Sequence, residues 1–202
     1  MMQISLVLFP ALRRLQENEL SKVFSKINSL LTFIAPMALI SFPIISLFIS
    51  YWLPSYKKSL DYLVFLLPLV CYDGKMQLLF NTFLKVSRKE KLMLLINIIS
   101  CIASLVITCI AVHVFHSIEM IALGMLIAVV IRSIMAEYYL GNLYGVNPSK
   151  SICLFAALCL SFIIAFYFFN LWTAWTIYTT LCILSCFFNR KSIANLKHSL
   201  IK

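Results

Sequence analysis

The stretch LLPLVCYDGKMQLLFNTFLKV, Leu66–Val86, is apolar on both sides of an Asp-Gly-Lys triplet. Read as a turn, Asp73-Gly74-Lys75 would separate Leu60–Tyr72 from Met76–Val86, segments of 13 and 11 residues. Neither crosses a hydrocarbon core of ~30 Å, which takes about 20 residues of helix. Read as helix, the stretch is one membrane span that carries an acid and a base near its middle.

Composition favours the membrane. The chain of 202 residues is 62% hydrophobic and 12% charged, with a mean hydropathy of +0.97. Soluble domains carry about 25% charged residues. Here the charges gather between long apolar runs. Six full spans are expected: Ile27–Ser50, Leu60–Leu84, Leu92–Phe115, Ile118–Leu140, Ser151–Asn170 and Leu171–Phe188. The fold class is all-α, a polytopic transmembrane helical bundle with a partial helix at the N-terminus. Residues 1–26 form the end of that helix (Ile4–Pro10) and an amphipathic connector, 27–188 the six-span lobe, and 189–202 a basic tail. In the connector, Leu12, Leu15, Leu20, Val23, Phe24 and Ile27 share a face, which suits either a helix on the membrane surface or a solvated linker.

Basic residues set the orientation. With Leu60–Leu84 as a single span, thirteen of the 17 Lys and Arg lie on one side, Lys57 and Lys58 on the other, and Lys75 and Arg132 inside spans. A re-entrant hairpin would give eleven against four. The positive-inside rule prefers the single span and places the thirteen-charge side, with the C-terminus, in the cytoplasm. The net charge of +10 thus reflects topology and contact with anionic membrane lipid rather than nucleic acid.

Charges near mid-membrane are costly and persist beside a partner or a wet cavity. Asp73 and Lys75 project about 200° apart on a helix, so they do not neutralise each other. Each either pairs with another helix or faces a polar cavity. Counted from the outer side, Lys75 and Arg132 fall at one depth, where two cations suit a phosphate or pyrophosphate. Asp73 is then the candidate for ion coupling. Glu137 lies nearer the interface, where a snorkelling side chain is expected. Asn97, Ser100, Ser104 and Thr108 form a weakly polar stripe in the third span, for close packing or for lining a cavity. Pro36, Pro43 and Pro68 predict kinks.

The seven cysteines fall inside spans without a CxxC pair and read as small packers. No metal site, cofactor or catalytic residue is expected. The sequence has no glycine-rich phosphate loop, HExxH or nucleophile elbow, and no loop long enough for an extramembrane catalytic domain.

VLFPALRRLQ (Val7–Gln16), ISYWLPSYKKSLDYLVFLLPL (Ile49–Leu69) and LLFNTFLKVSRKEKLMLLINIIS (Leu78–Ser100) together resemble the later lobe of bacterial lipid-linked oligosaccharide flippases. These are the Wzx-type O-antigen transporters of the multidrug/oligosaccharidyl-lipid/polysaccharide exporter superfamily. Pro10, Pro54, Tyr56, Asn81, Lys85, Lys91 and Asn97 carry the resemblance, which extends from Val7 to about Leu140. It implies a transporter in the bacterial inner membrane, not an enzyme. The transporter moves an undecaprenyl-pyrophosphate-linked sugar unit between leaflets by alternating access. It also implies a first lobe beside this one, and polysaccharide assembly proteins as partners. A multidrug antiporter of the same superfamily and an integral-membrane enzyme of polysaccharide assembly are the alternatives.

Overall fold

The computed structural model describes Leu12 and residues 17–57, 59–115 and 118–188. Every regular element among them is helical. The chain forms an all-α polytopic bundle. The helix end expected at Ile4–Pro10 and the tail 189–202 lie outside the described residues.

Helix α1 (Glu17–Ala38) continues through a 3₁₀ turn at Leu39–Ser41 into α2 (Phe42–Trp52). Helix α3 (Ser59–Lys75) passes through a π-helical turn, Met76–Phe80, into α4 (Asn81–Val86). Asp73-Gly74-Lys75 is therefore helix, and Ser59–Val86 is one segment long and apolar enough to cross a membrane. Helix α5 (Glu90–Ile110) ends in a second π turn, Ala111–Phe115, and α6 (Ile118–Tyr144), α7 (Ser149–Phe168) and α8 (Leu171–Phe188) follow. Five segments have spanning length and hydropathy. The sixth, α8, has 18 residues and is about 27 Å long, at the short limit for a span.

The boundary expected near residue 26 is not a break. Helix α1 runs through it, and Leu20 and Phe24 are buried. The Phe24 ring lies 5.2 Å from those of both Phe83 and Tyr144. From Glu17 onward the connector is thus the lower part of the first helix, packed into the bundle rather than laid on a surface. Its apolar stripe has protein to bury against.

The prolines in the first segment have a structural consequence. Backbone carbonyls in this Pro-bearing stretch accept from side chains of neighbouring helices. Tyr178 donates its hydroxyl to Pro36 O (2.8 Å), Trp175 its indole N–H to Ile40 O (3.2 Å), and Cys71 its thiol to Ala35 O (3.2 Å). Neighbouring helices commonly re-satisfy broken backbone in this way inside membranes. Helices α3 and α8 thereby hold the stretch around the 3₁₀ turn.

Two apolar cores result. At the end bearing the start of α1, Phe24, Met76, Leu79, Phe80, Phe83, Leu84, Ala136 and Leu140 pack together. Towards the other end, Leu39, Phe42, Val64, Tyr72, Phe155, Phe162 and Tyr178 form the second core. Outward faces stay apolar, as Ile44, Leu94, Ile102, Leu105, Phe168 and Phe187 illustrate. Such faces suit a lipid solvent.

Candidate functional site: a buried charge layer beside a polar cleft

Between the two cores lies a polar layer centred on Lys75. Lys75 is fully buried. The ammonium donates to Glu137 Oε2 at 2.8 Å, to Thr32 Oγ1 at 3.3 Å and to Ser151 Oγ at 3.5 Å. The rings of Phe155 and Phe80, one from each core, stand 4.8 and 5.5 Å from it. Cations gain from the negative face of an aromatic ring, the more so when desolvated.

Glu137 is 3% exposed, and its second oxygen accepts from Asn28 Nδ2 at 2.9 Å. The expected snorkelling of Glu137 is overturned, because Lys75 and Asn28 hold both carboxylate oxygens inside the bundle. Thr32 donates to Asn28 O at 2.7 Å and lies 2.8 Å from the Ser151 hydroxyl. Four helices thus meet in one hydrogen-bonded cluster: α1 supplies Asn28 and Thr32, α3 Lys75, α6 Glu137 and α7 Ser151. Lys75 is also the residue immediately before the π turn. Single π turns inside helices occur frequently at functional sites.

The cluster adjoins a cleft of about 290 Å³ between α1 and the start of α7. Ser25, Asn28, Ser29 and Thr32 line it from α1, with Asn147, Lys150 and Ser151 opposite. Thr32, Asn28 and Ser151 belong to both cleft and cluster, so one layer of hydroxyl and amide groups separates the cleft from Lys75. Lys150 is exposed at the rim. An anion entering here would meet hydroxyl donors first and a buried ammonium behind them.

Lys75 and Arg132, expected to share one anion, are held by different partners. Arg132 Nη1 faces Asp73 Oδ1 at 3.8 Å, with 18% of the arginine and 44% of the aspartate side chain exposed. Asp73, the expected ion-coupling residue, therefore stands beside a cation. The stripe Asn97, Ser100, Ser104 and Thr108 is half-buried on α5, which packs chiefly on α6. A Cβ at Gly124 would stand 2.5 Å from Ile107 Cγ2, which shows how closely these two helices approach.

The polar α1 face went unread in the sequence, although Ser25, Asn28, Ser29 and Thr32 recur at the three- and four-residue steps that drew notice to α5. Among the described residues, no group of three or more His, Cys, Asp or Glu side chains could hold a metal ion. Comparisons with family models, curated proteins and solved structures return no match.

Proposed function

We propose that this chain is a lobe of a membrane transporter that moves undecaprenyl-pyrophosphate-linked O-antigen or related polysaccharide repeat units across the bacterial inner membrane by alternating access. It acts as a carrier rather than as an enzyme. The observation that carries this reading is the Lys75–Glu137 pair, buried at membrane depth and reached from a polar cleft through Thr32 and Ser151. Ionisable residues inside spans mark substrate and ion pathways more often than stability devices. The sequence resemblance supplies the substrate class, and the positive-inside rule puts the cleft on the cytoplasmic side.

The chemistry fits an exchange of partners. At rest Glu137 neutralises Lys75. A pyrophosphate entering the cleft competes for the same ammonium, and the displaced carboxylate then gains by taking up a proton. Substrate charge and proton occupancy are thereby coupled through one lysine, and the four helices sharing the cluster give that exchange a route to the backbone.

The test is binding to the purified chain in lipid nanodiscs, comparing undecaprenyl pyrophosphate with uncharged undecaprenol. Wild type should prefer the pyrophosphate. The double variant Lys75→Met/Glu137→Leu removes both charges and strands neither. It should lower that preference roughly 10- to 150-fold, the value of one charged hydrogen bond. A double variant with undiminished preference, or a wild type that binds both compounds equally, would overturn the reading.

A further inference from the structure

At the same end of the bundle, the α4–α5 turn presents a second polar feature, which shares no lining residue with the α1–α7 cleft. Helix α4 ends in a Schellman-type closure: Lys89 N donates to Leu84 O at 2.9 Å and Arg88 N to Lys85 O at 3.1 Å. The residue at the left-handed position of such a closure is usually glycine, because a Cβ is strained there. Here it is Arg88, at φ 55°. The turn is tied to Tyr144 at the end of α6, which is itself held by α1. The Ser87 hydroxyl lies 2.6 Å from the Tyr144 hydroxyl, and Ser21 donates to Tyr144 O at 2.8 Å.

Two clefts meet on this turn, of about 620 and 660 Å³, and both are lined by Arg88 and Lys89. The larger adds Glu90, Lys91 and Tyr139 beside Leu92 and Leu95. Three cations against a single carboxylate, with a half-buried tyrosine and the exposed Leu95 beside them, combine a net positive charge with apolar surface, as a phospholipid headgroup and its acyl chain require. Interfacial tyrosines and basic pockets between helices are the means by which membrane proteins hold anionic lipids.

We propose that the α4–α5 turn is a binding site for the phosphate headgroup of an anionic phospholipid, with Arg88 and Lys89 as its cations and the exposed Leu95 against the acyl chains. The strained Arg88 is the distinguishing feature. A turn built only to reverse the chain gains by placing glycine there, whereas a headgroup site gains from the guanidinium.

The experiment is native mass spectrometry of the full chain in detergent, titrated with phosphatidylglycerol or phosphatidylcholine. Wild type should retain phosphatidylglycerol preferentially. Arg88→Gly should weaken that retention about fivefold and Arg88→Gly/Lys89→Gln about 30-fold, at about 1 kcal/mol per basic residue. Arg88→Gly should meanwhile unfold no earlier than wild type, because the strain is released. Lys22→Gln, at the same end but in neither cleft, is the control. An equal loss in the control would show a diffuse surface charge and overturn the site. Displacement of the lipid by an equal concentration of inorganic phosphate would overturn the lipid assignment. Undiminished retention by the double variant would overturn the role of both cations.

Discussion

Asp73 and Lys75 stand two residues apart on α3, and α6 offers each a counter-charge, yet the two pairs differ in kind. Lys75 and Glu137 meet at 2.8 Å with side chains 0% and 3% exposed, and hydroxyl, amide and aromatic groups complete their surroundings. Arg132 and Asp73 stand 3.8 Å apart, partly open, and Arg132 Nε is buried without a partner among the described residues. The difference follows from helix geometry. Positions two apart on a helix point to nearly opposite sides. One therefore turns towards α1 and α7, where the polar faces of those helices wait, and the other turns out of the bundle. Burial makes the first pair an obligatory unit, whereas exposure leaves the second a local contact.

The largest expected effect comes from splitting the buried pair. Lys75→Met alone strands the Glu137 carboxylate, and Glu137→Leu alone strands the ammonium. Removing one partner of a buried ion pair costs about 3–5 kcal/mol, while replacing both with apolar groups is often neutral or stabilising. Each single variant should thus lose protein from the membrane fraction and unfold earlier in detergent, and Lys75→Met/Glu137→Leu should recover most of both. If each single variant matches wild type in abundance and unfolding, Lys75 and Glu137 are not the coupled, water-excluded unit that separates them from the other pair.

A smaller effect is expected one step away. Asn28 donates to Glu137 at 2.9 Å while its own Oδ1 has no partner among the described residues. Asn28→Ala removes one of the two groups holding the carboxylate. The cost should be about 1–3 kcal/mol, read as earlier thermal unfolding. In the Lys75→Met/Glu137→Leu background the same change should cost clearly less, because no carboxylate remains to be served. Equal costs in both backgrounds would mean that Asn28 acts by packing rather than through Glu137.

Much of this architecture was legible in the sequence. Apolar run length and the distribution of Lys and Arg predict a helical bundle, and the continuity of Ser59–Val86 follows from the shortness of the alternative segments. The prolines mark where the first segment turns 3₁₀ at Leu39–Ser41, but not that Tyr178, Trp175 and Cys71 would donate to its carbonyls, since such donors come from helices distant in the chain. The site was half legible. Lys75 stood out because a charge in an apolar run is visible in one dimension. Glu137 did not, because its distance from the span end suggested an interfacial side chain, and only packing shows that Asn28 and Lys75 face it. The polar face of α1 was missed for another reason. Ser25, Asn28, Ser29 and Thr32 lie where the connector was read as ending and the span as starting, so one helical stripe was divided between two segments.

The smallest effect belongs to the open pair. A partly exposed ion pair is worth about 0–1 kcal/mol, and at 3.8 Å the contact between Asp73 and Arg132 is already loose. Asp73→Asn keeps the shape and removes the charge, so abundance and unfolding should move by no more than that. The variant sharpens the comparison because two distinct outcomes carry information. If Asp73 is wetted, as an ion-coupling carboxylate must be, neutralising it leaves stability almost unchanged, and its contribution appears only when transport is measured across a proton or sodium gradient. If Asp73→Asn instead lowers abundance as far as Lys75→Met does, and Asp73→Asn/Arg132→Gln restores it, then the open pair is sealed from water in the membrane. The distinction drawn from exposure would fail, and α3 would be tied to α6 by two buried charge pairs rather than one.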